Sequence, residues 1–151
     1  MLGRRSIWCM LGCLLSAACG GADGDLSGTA ARDYDLSYST VRVQQQLAAG
    51  APVAMLVLYE RGGQNDRETP VKLVANWPVE VGKSVDLVKG GALIHVVAGG
   101  AQFPDLIAPS SATFQQFGQP GEPASGEFSA TFVGGTTLNG KFSAQLEVIG
   151  Q

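Results

Sequence analysis

The chain has 151 residues, enough for one folded domain, of which 45% are hydrophobic and 15% charged. That balance excludes a disordered chain, which would be poor in apolar residues and rich in charge. The net charge of −3 and the lack of a basic cluster argue against a nucleic-acid partner. All three cysteines, Cys9, Cys13 and Cys19, lie near the start, so the remainder can hold neither a disulfide framework nor a thiolate metal site.

Residues 1–18 have the three parts of a cleaved export signal. Arg4 and Arg5 form a basic start, an apolar run occupies residues 7–15, and small residues continue to Cys19. The apolar run is shorter than the roughly 20 apolar residues of a permanent transmembrane helix. We therefore expect residues 1–18 to be removed. The paired arginines fit both the general export route and the twin-arginine route.

The end of this segment, Leu15-Ser16-Ala17-Ala18-Cys19, resembles the lipobox of bacterial lipoproteins. In that family, signal peptidase II cuts before a cysteine that receives fatty acyl chains such as palmitate. The resemblance implies cleavage after Ala18 and lipidation of Cys19, although the family's usual leucine at the position of Ser16 is missing. Two alternatives stay open. Cys13 could be the lipidated residue, or an ordinary secretory signal could be cut near Ala18 and leave Cys19 as a free thiol.

The resemblance also implies a location. An aspartate after the cysteine retains members of the family at the inner membrane, but Gly20 stands there in this chain. The expected location is therefore the outer membrane of a two-membrane bacterium, at its periplasmic face or at the cell surface. Residues 19–32 comprise the lipidated cysteine and a run of small and polar residues, which we expect to form a flexible tether to the lipid anchor.

Residues 33–151 are expected to form one all-β domain. Tyr34, Leu36 and Tyr38 alternate with polar residues, and the phase changes afterwards, which predicts a strand with a bulge near residues 39–40. The following residues 44–49 could make one helical turn. Residues 53–59 are continuously apolar, which predicts a central strand covered on both faces.

The middle of the chain gives weaker signals. Residues 71–75 alternate, and residues 92–97 form a second apolar run between glycine pairs, which predicts another buried strand. Residues 101–125 hold four of the seven prolines and show little periodicity. We expect a long connection there, with one short strand near residues 113–117.

The C-terminal part repeats one pattern. Residues 126–130 read Gly-Glu-Phe-Ser-Ala and residues 140–144 read Gly-Lys-Phe-Ser-Ala, which predicts a β-hairpin. A three-residue loop at residues 134–136 would keep both apolar sets on one face and pair Phe132 with Leu138 and Phe128 with Phe142. The opposite face is almost wholly polar.

Taken together, these signals predict an antiparallel β-sandwich, or a partly open β-barrel, of about seven or eight short strands. The hairpin and the lipobox also resemble the small glycine-rich β-domain lipoproteins of myxobacteria, which often end in a glycine-x-phenylalanine-x-alanine strand. That resemblance implies no activity.

His95 is the only histidine and lies in an apolar run. A catalytic base needs a nucleophile and an orienting carboxylate, and the chain has no glycine-x-serine-x-glycine elbow. We expect a structural histidine and no enzyme activity. A hydrolase would require Ser110, Ser111 or Asp105 within hydrogen-bond reach of His95.

Other residues could bind a ligand. Four aromatic residues, Tyr34, Tyr38, Tyr59 and Trp77, could line a groove for a sugar or a peptide, and His95 is a further possible ligand-binding residue. Acidic residues two positions apart could share a Ca²⁺ ion, although none has the twelve-residue loop pattern of Ca²⁺-binding helix pairs. These acidic pairs are Asp23 with Asp25, Asp33 with Asp35, and Asp66 with Glu68. We expect no metal site and no cofactor.

The sequence thus predicts a non-catalytic envelope lipoprotein whose β-domain binds another protein or an envelope component. The alternative is a lipoprotein that binds a small ligand, a sugar or Ca²⁺.

Overall fold

The computed structural model describes residues 23–151, so residues 1–18 and the predicted sites Ala18 and Cys19 lie outside the described part. Within that part, nine strands form one nearly closed, barrel-like sheet, which confirms the prediction of an all-β fold. The strands are β1 Asp23–Ser27, β2 Thr40–Ala48, β3 Ala51–Arg61, β4 Glu68–Asn76, β5 Ser84–Asp86, β6 Gly91–Val96, β7 Leu106–Gln116, β8 Pro123–Phe132 and β9 Thr137–Ile149. A 3₁₀ helix at Thr29–Arg32 and a one-turn helix α1 at Leu87–Gly90 accompany them.

Strand β9 holds the sheet together. The strand order is β5-β7-β8-β9-β2-β3-β4-β6, with β1 added beside β9. The first part of β9 pairs with β8 on one side and β1 on the other, and its last part pairs in parallel with β2. The two edge strands, β5 and β6, follow each other in the chain and are joined by α1, which bridges the opening.

The strand directions define two ends of the barrel. We call the end at which β8 begins and β9 ends the lower end, and the end with the β8–β9 turn the upper end. The pairings place three connections at the lower end: residues 49–50, 77–83 and 117–122. Strand β1 runs antiparallel to β9, and its first residue, Asp23, lies opposite Ser143 in the middle of β9.

Strand β3 is covered on both faces, as predicted. All residues from Ala54 to Glu60 are buried. Met55, Val57 and Tyr59 point into the barrel and are 0% exposed. On the outside, Ala54, Leu56 and Leu58 form a second small cluster with the partly buried Val74 and Ile149.

The predicted hairpin is present, but the predicted pairing of its strands is wrong, because the actual register differs by two residues. Phe132 N–H donates to the Thr136 carbonyl and Gly135 N–H to the Phe132 carbonyl, both at 2.9 Å, so the three-residue loop is 133–135. Ala130 therefore pairs with Leu138. A three-residue loop in either position keeps the even-numbered residues on one face, which is why the apolar face was predicted correctly.

The repeated pattern explains this register. In the antiparallel pair, Phe128 lies opposite Gly140, and Gly126 lies opposite Phe142. A Cβ atom on Gly140 would overlap the Phe128 ring, and one on Gly126 would come within 2.6 Å of Phe142 Cζ. Each glycine thus makes room for the aromatic ring of the other copy of the pattern.

The predicted flexible tether is wrong for residues 23–32. Residues Asp23–Ser27 form β1, and Thr29–Arg32 form the 3₁₀ helix. Leu26 packs against the core, and Ala30 is completely buried. Strand β2 pairs only with the last part of β9, so the backbone N–H and C=O groups of residues 139–143 are free to pair with β1. The small polar residues of β1 gave no sign of this pairing in the sequence.

Two further local predictions are wrong. Residues 44–49 are not helical, because β2 continues to Ala48 and a two-residue turn follows in which Ala49 and Gly50 have φ values of 51° and 77°. Both positive values fit a hairpin turn whose twist matches the strands. Residues 34–39 are not a strand, and the irregularity in β2 lies between Gln46 and Leu47.

The predicted long connection at residues 101–125 is also wrong, because β7 occupies 11 of these residues. Pro109 lies where the pairing with β8 shifts, between Ile107 and Ser111. Ser110 bridges this interruption, since its Oγ donates to the Ile107 carbonyl at 2.6 Å and accepts from Thr131 N–H at 3.0 Å. A proline is tolerated in a strand at such an irregularity.

Strand β6 differs from the predicted buried run. Leu93 and His95 are buried, but Val96 is 48% exposed. Because β6 is an edge strand, its outer side lacks the cover that β3 has.

Candidate binding surface

The outer side of β7, β8, β9 and β1 carries small polar side chains in register. One row crosses the four strands as Thr113, Glu127, Lys141 and Asp25, and the next row as Ser111, Ser129, Asn139 and Ser27. We call these eight residues the polar face. They stand on neighbouring strands of one sheet, so their positions relative to one another are fixed by the backbone pairing.

Two shallow depressions of 230 and 310 Å³ adjoin on this surface, and both are lined by Asp25, Glu127 and Lys141. All three side chains are exposed. Within residues 23–151, none of them forms an ion pair or a side-chain hydrogen bond, although Lys141 lies directly opposite Glu127 and Asp25. Their charges are therefore available to a partner.

The backbone beneath Lys141 is held from inside the barrel. The Tyr59 hydroxyl donates to the Lys141 carbonyl at 2.6 Å. Burial raises the pKa of Tyr59, which keeps the hydroxyl protonated and able to donate. The core thus fixes the centre of the polar face.

Ion pairs elsewhere on the domain have structural roles. Arg42 on β2 binds Glu147 on β9 with two hydrogen bonds of 3.0 and 2.6 Å, and Gln44 donates to the same carboxylate at 2.9 Å. The buried Glu60 lies 3.5 Å from both Arg42 and Arg67. This network ties together β2 and β9, the parallel pair in the middle of the sheet.

A second network fixes residues 34–39 to the upper end. Arg61 binds Glu68 at 2.8 Å and Asp35 at 2.5 Å. Hydrogen bonds from the Ser37 hydroxyl and amide, and then from Arg61, lower the pKa of Asp35 from 3.8 to about 2. The hydrogen bond from Arg61 also lowers the pKa of Glu68.

This network predicts a pH dependence. The pKa of Asp35 is lower in the folded state than in the unfolded state. The contribution of its carboxylate to the free energy of unfolding is therefore complete above pH 3.8 and is lost as the pH falls towards about 2. We expect the urea midpoint to fall over that window, and less steeply in Asp35→Asn. Asp33→Asn, two residues away, should retain the wild-type slope. Equal slopes for all three proteins would contradict the assignment.

His95 has a structural environment. It is 3% exposed, its Nδ1 lies 2.7 Å from the Pro70 carbonyl oxygen, and its ring packs against Tyr34 and Phe103. Ser110 bonds instead to the β7 and β8 backbone. In the described part of the chain, no hydrogen bond joins His95 to Ser110, Ser111 or Asp105.

The predicted aromatic ligand residues are divided among three clusters. Tyr34 packs on His95, and its hydroxyl donates to the Gln102 carbonyl at 3.0 Å. Tyr38 packs edge-on against Tyr59. Trp77 packs against Phe117 at the lower end. Tyr34 and Tyr38 line an open groove of 750 Å³ beside β1, but neither Trp77 nor His95 reaches it.

The acidic pairs form no combined site. Asp35 and Glu68 bind Arg61, and Asp66 accepts a hydrogen bond from Gly63 N–H at 2.6 Å. Among residues 23–151, no group of three or more His, Cys, Asp or Glu side chains is placed to hold a metal ion.

The complete polar face was not predicted. The alternating pattern showed that Glu127, Ser129, Asn139 and Lys141 share a face. The polar-face residues of β1 and β7 were not predicted, because the sequence did not indicate β1 as a strand and indicated only a short part of β7.

No helix within residues 23–151 has the length and apolar character needed to cross a membrane. No protein family, curated protein or solved structure matches the chain.

Proposed function

We propose that the protein is a non-catalytic lipoprotein of the bacterial outer membrane, anchored through Cys19, whose β-domain binds another protein or an envelope component through the polar face. The lipobox-like segment supports the anchor. The observation that carries the binding role is the set of exposed charges on Asp25, Glu127 and Lys141, none of which forms an ion pair within residues 23–151.

The shape of this surface favours a large partner. Pockets for small molecules are usually enclosed and about 300–1,000 Å³ in volume. The two depressions are 230 and 310 Å³, lie side by side and are open. A flat, rigid surface with polar groups at fixed spacing suits a protein or polymer that contacts several strands at once.

The groove beside β1 supports the alternative of a small ligand. Its volume of 750 Å³ is sufficient, and Tyr34 and Tyr38 contribute aromatic surface. The Tyr34 hydroxyl is already bonded to Gln102, which leaves fewer groups for a ligand. We therefore place this candidate second.

Charge reversal at Lys141 tests the main proposal. In-cell crosslinking of the tagged protein, followed by purification from membranes and mass spectrometry, should identify a recurrent envelope partner. Lys141→Glu would put three negative charges together on the polar face, so we expect the crosslinked partner to be lost. The matched control is Lys72→Glu, because Lys72 is partly exposed on the outer side of β4, which β2 and β3 separate from β9.

Retention of the partner by Lys72→Glu and its loss in Lys141→Glu would support the proposal. Equal crosslinking of both variants would refute binding through the polar face. If no partner rises above background in the wild type, a thermal-shift screen with sugars and Ca²⁺, repeated with Tyr38→Ala, would test the groove beside β1.

A further inference from the structure

We propose that the opening between β6 and β7 takes up an extended, apolar peptide segment of another protein, which adds a strand to the free edge of β6. We call this opening the seam. It is the cavity between residues 91–93 of β6 and residues 103–106, which lead into β7. The seam is separate from the polar face, so this inference stands or falls independently of the binding role proposed above.

The first argument is that two strand edges at the seam have no partner. Strand β6 pairs with β4 along one edge, and no strand pairs with its other edge within residues 23–151. Strand β7 pairs with β8 along one edge, but β5 pairs with its other edge only at residues 111–113. The N–H and C=O groups on the seam side of both strands alternate in the pattern that another extended backbone can match.

The second argument is that β6 lacks the usual protection of an edge strand. Such strands are commonly short, or carry charged residues or proline that prevent pairing with other chains. Strand β5, at the opposite end of the strand order, has three residues, and β1, which pairs only with β9, carries Asp23 and Asp25. Strand β6 has six residues, Gly-Ala-Leu-Ile-His-Val, with no lysine, acidic residue or proline. Its edge is therefore open to strand addition.

The third argument is the concentration of exposed apolar side chains round the seam. Of the seven large apolar side chains exposed in the described part of the chain, four lie here, which indicates a partner that is itself apolar. Val96 on β6 is 48% exposed, Ile107 on β7 39% and Val88 on α1 43%. Val133 is 55% exposed, and its N–H donates to the carbonyl of Asp105 at the rim of the seam.

The cavity of the seam fits side chains of such a segment. Its volume is 340 Å³, its lining includes Leu93, Phe103 and Leu106, and Asp105 is the one charged residue among those that line it. Because side chains alternate along a strand, every second side chain of an added strand would enter this cavity, and the others would lie beside Val96 and Ile107. A lipid chain would fill the cavity but leave both strand edges unpaired. The arrangement therefore favours a peptide.

Hydrogen exchange can test strand addition. The probe is the peptide acetyl-Lys-Val-Thr-Val-Thr-Val-Lys-amide, added to the mature protein purified from cells. We expect the amides of residues 91–96 that do not pair with β4 to exchange about tenfold more slowly when the peptide is bound, because they then donate to its carbonyl groups. A peptide of equal charge in which threonine replaces every valine should bind about tenfold more weakly.

N-methylation separates backbone pairing from side-chain contact. Methyl groups on the amides of every second residue remove the donors from one edge of the peptide and keep its side chains. We expect one of the two alternate sets to weaken binding about tenfold, since an added strand pairs with β6 through one edge. Equal binding of both methylated peptides and the parent peptide would overturn strand addition.

Matched variants locate the peptide on the protein. We expect Val96→Ser to weaken binding about fivefold, because the peptide would cover this side chain. The control is Val53→Ser, since Val53 is 40% exposed but lies on β3, which pairs along both edges. Circular dichroism shows whether each variant is folded, and both changes are at exposed positions.

The remaining outcomes also decide the inference. Wild-type binding in Val53→Ser and Lys141→Glu, with weaker binding in Val96→Ser, would support it. Loss of binding in Lys141→Glu would place the peptide on the polar face and overturn the seam as its site. No binding at about 1 mM peptide, which corresponds to about −4 kcal/mol, or protection confined to strands other than β6, would overturn it as well.

Discussion

Replacing Gly140 by valine is expected to destabilise the domain by about 3 kcal/mol, because overpacking of a closed core forces side chains and backbone apart. The Phe128 ring occupies the space that a Cβ atom on Gly140 would need, and Leu26 Cδ2 lies 3.0 Å from the same point. The measurement is urea denaturation followed by near-ultraviolet circular dichroism.

The matched control is Asn139→Val. Asn139 is the neighbouring residue on β9 but points outward, where it accepts a hydrogen bond from Ser129, so we expect a loss below about 1 kcal/mol. Combining Gly140→Val with Phe128→Ala should recover part of the loss, because the ring that causes the overlap is then absent. Equal losses in the two single variants, or strictly additive losses in the double variant, would contradict the glycine–phenylalanine pairing.

Changing Cys19 to serine is expected to move the protein completely from the membrane fraction to the soluble fraction. Each buried acyl methylene contributes about 0.8 kcal/mol to membrane binding, and serine cannot form the thioether that carries the lipid. Fractionation with detection of the tagged protein measures the change, and mass spectrometry of the mature N-terminus identifies the lipidated residue.

Cys9→Ser and Cys13→Ser provide matched controls within the same segment, and both should remain in the membrane fraction. Release by Cys13→Ser instead would assign the lipid to Cys13. If Cys19→Ser stays with the membrane, the proposed anchor is wrong.

The strands that could be predicted are those whose own residues carry the pattern. β3 is continuously apolar, and β4 alternates through Val71, Leu73 and Ala75, all of which are 0% exposed. The strand β1 could not be predicted, because Asp-Gly-Asp-Leu-Ser has little intrinsic tendency to form one. It becomes a strand through pairing with β9, more than a hundred residues later in the chain.

The arrangement of the hairpin shows a second limit. Alternation placed the apolar residues on one face, but loop position and pairing depend on what the side chains meet across the strands. Gly140 opposite Phe128 gives the ring space that Phe142 opposite Phe128 would not. Counting loop residues could not distinguish these possibilities.

The candidate sites follow the same division. Tyr34 and His95 meet because the segment between the 3₁₀ helix and β2 brings Tyr34 against β6, which no local pattern indicates. Lys141 and Glu127 could be placed together from the hairpin alone, whereas Asp25 joins them only through β1. Side chains within one hairpin are predictable from sequence, and those that depend on distant pairing require the fold.

The position of β9 at the centre of the sheet has a consequence for the order of folding. Strands β1, β2 and β8 all pair with β9, and β1, which pairs with no other strand, lies more than a hundred residues earlier. Such distant contacts carry a high loop-closure cost and slow the folding reaction. A growing chain cannot complete the barrel until β9 has been synthesised. Until then, the edges of β1, β2 and β8 that pair with β9 remain unpaired.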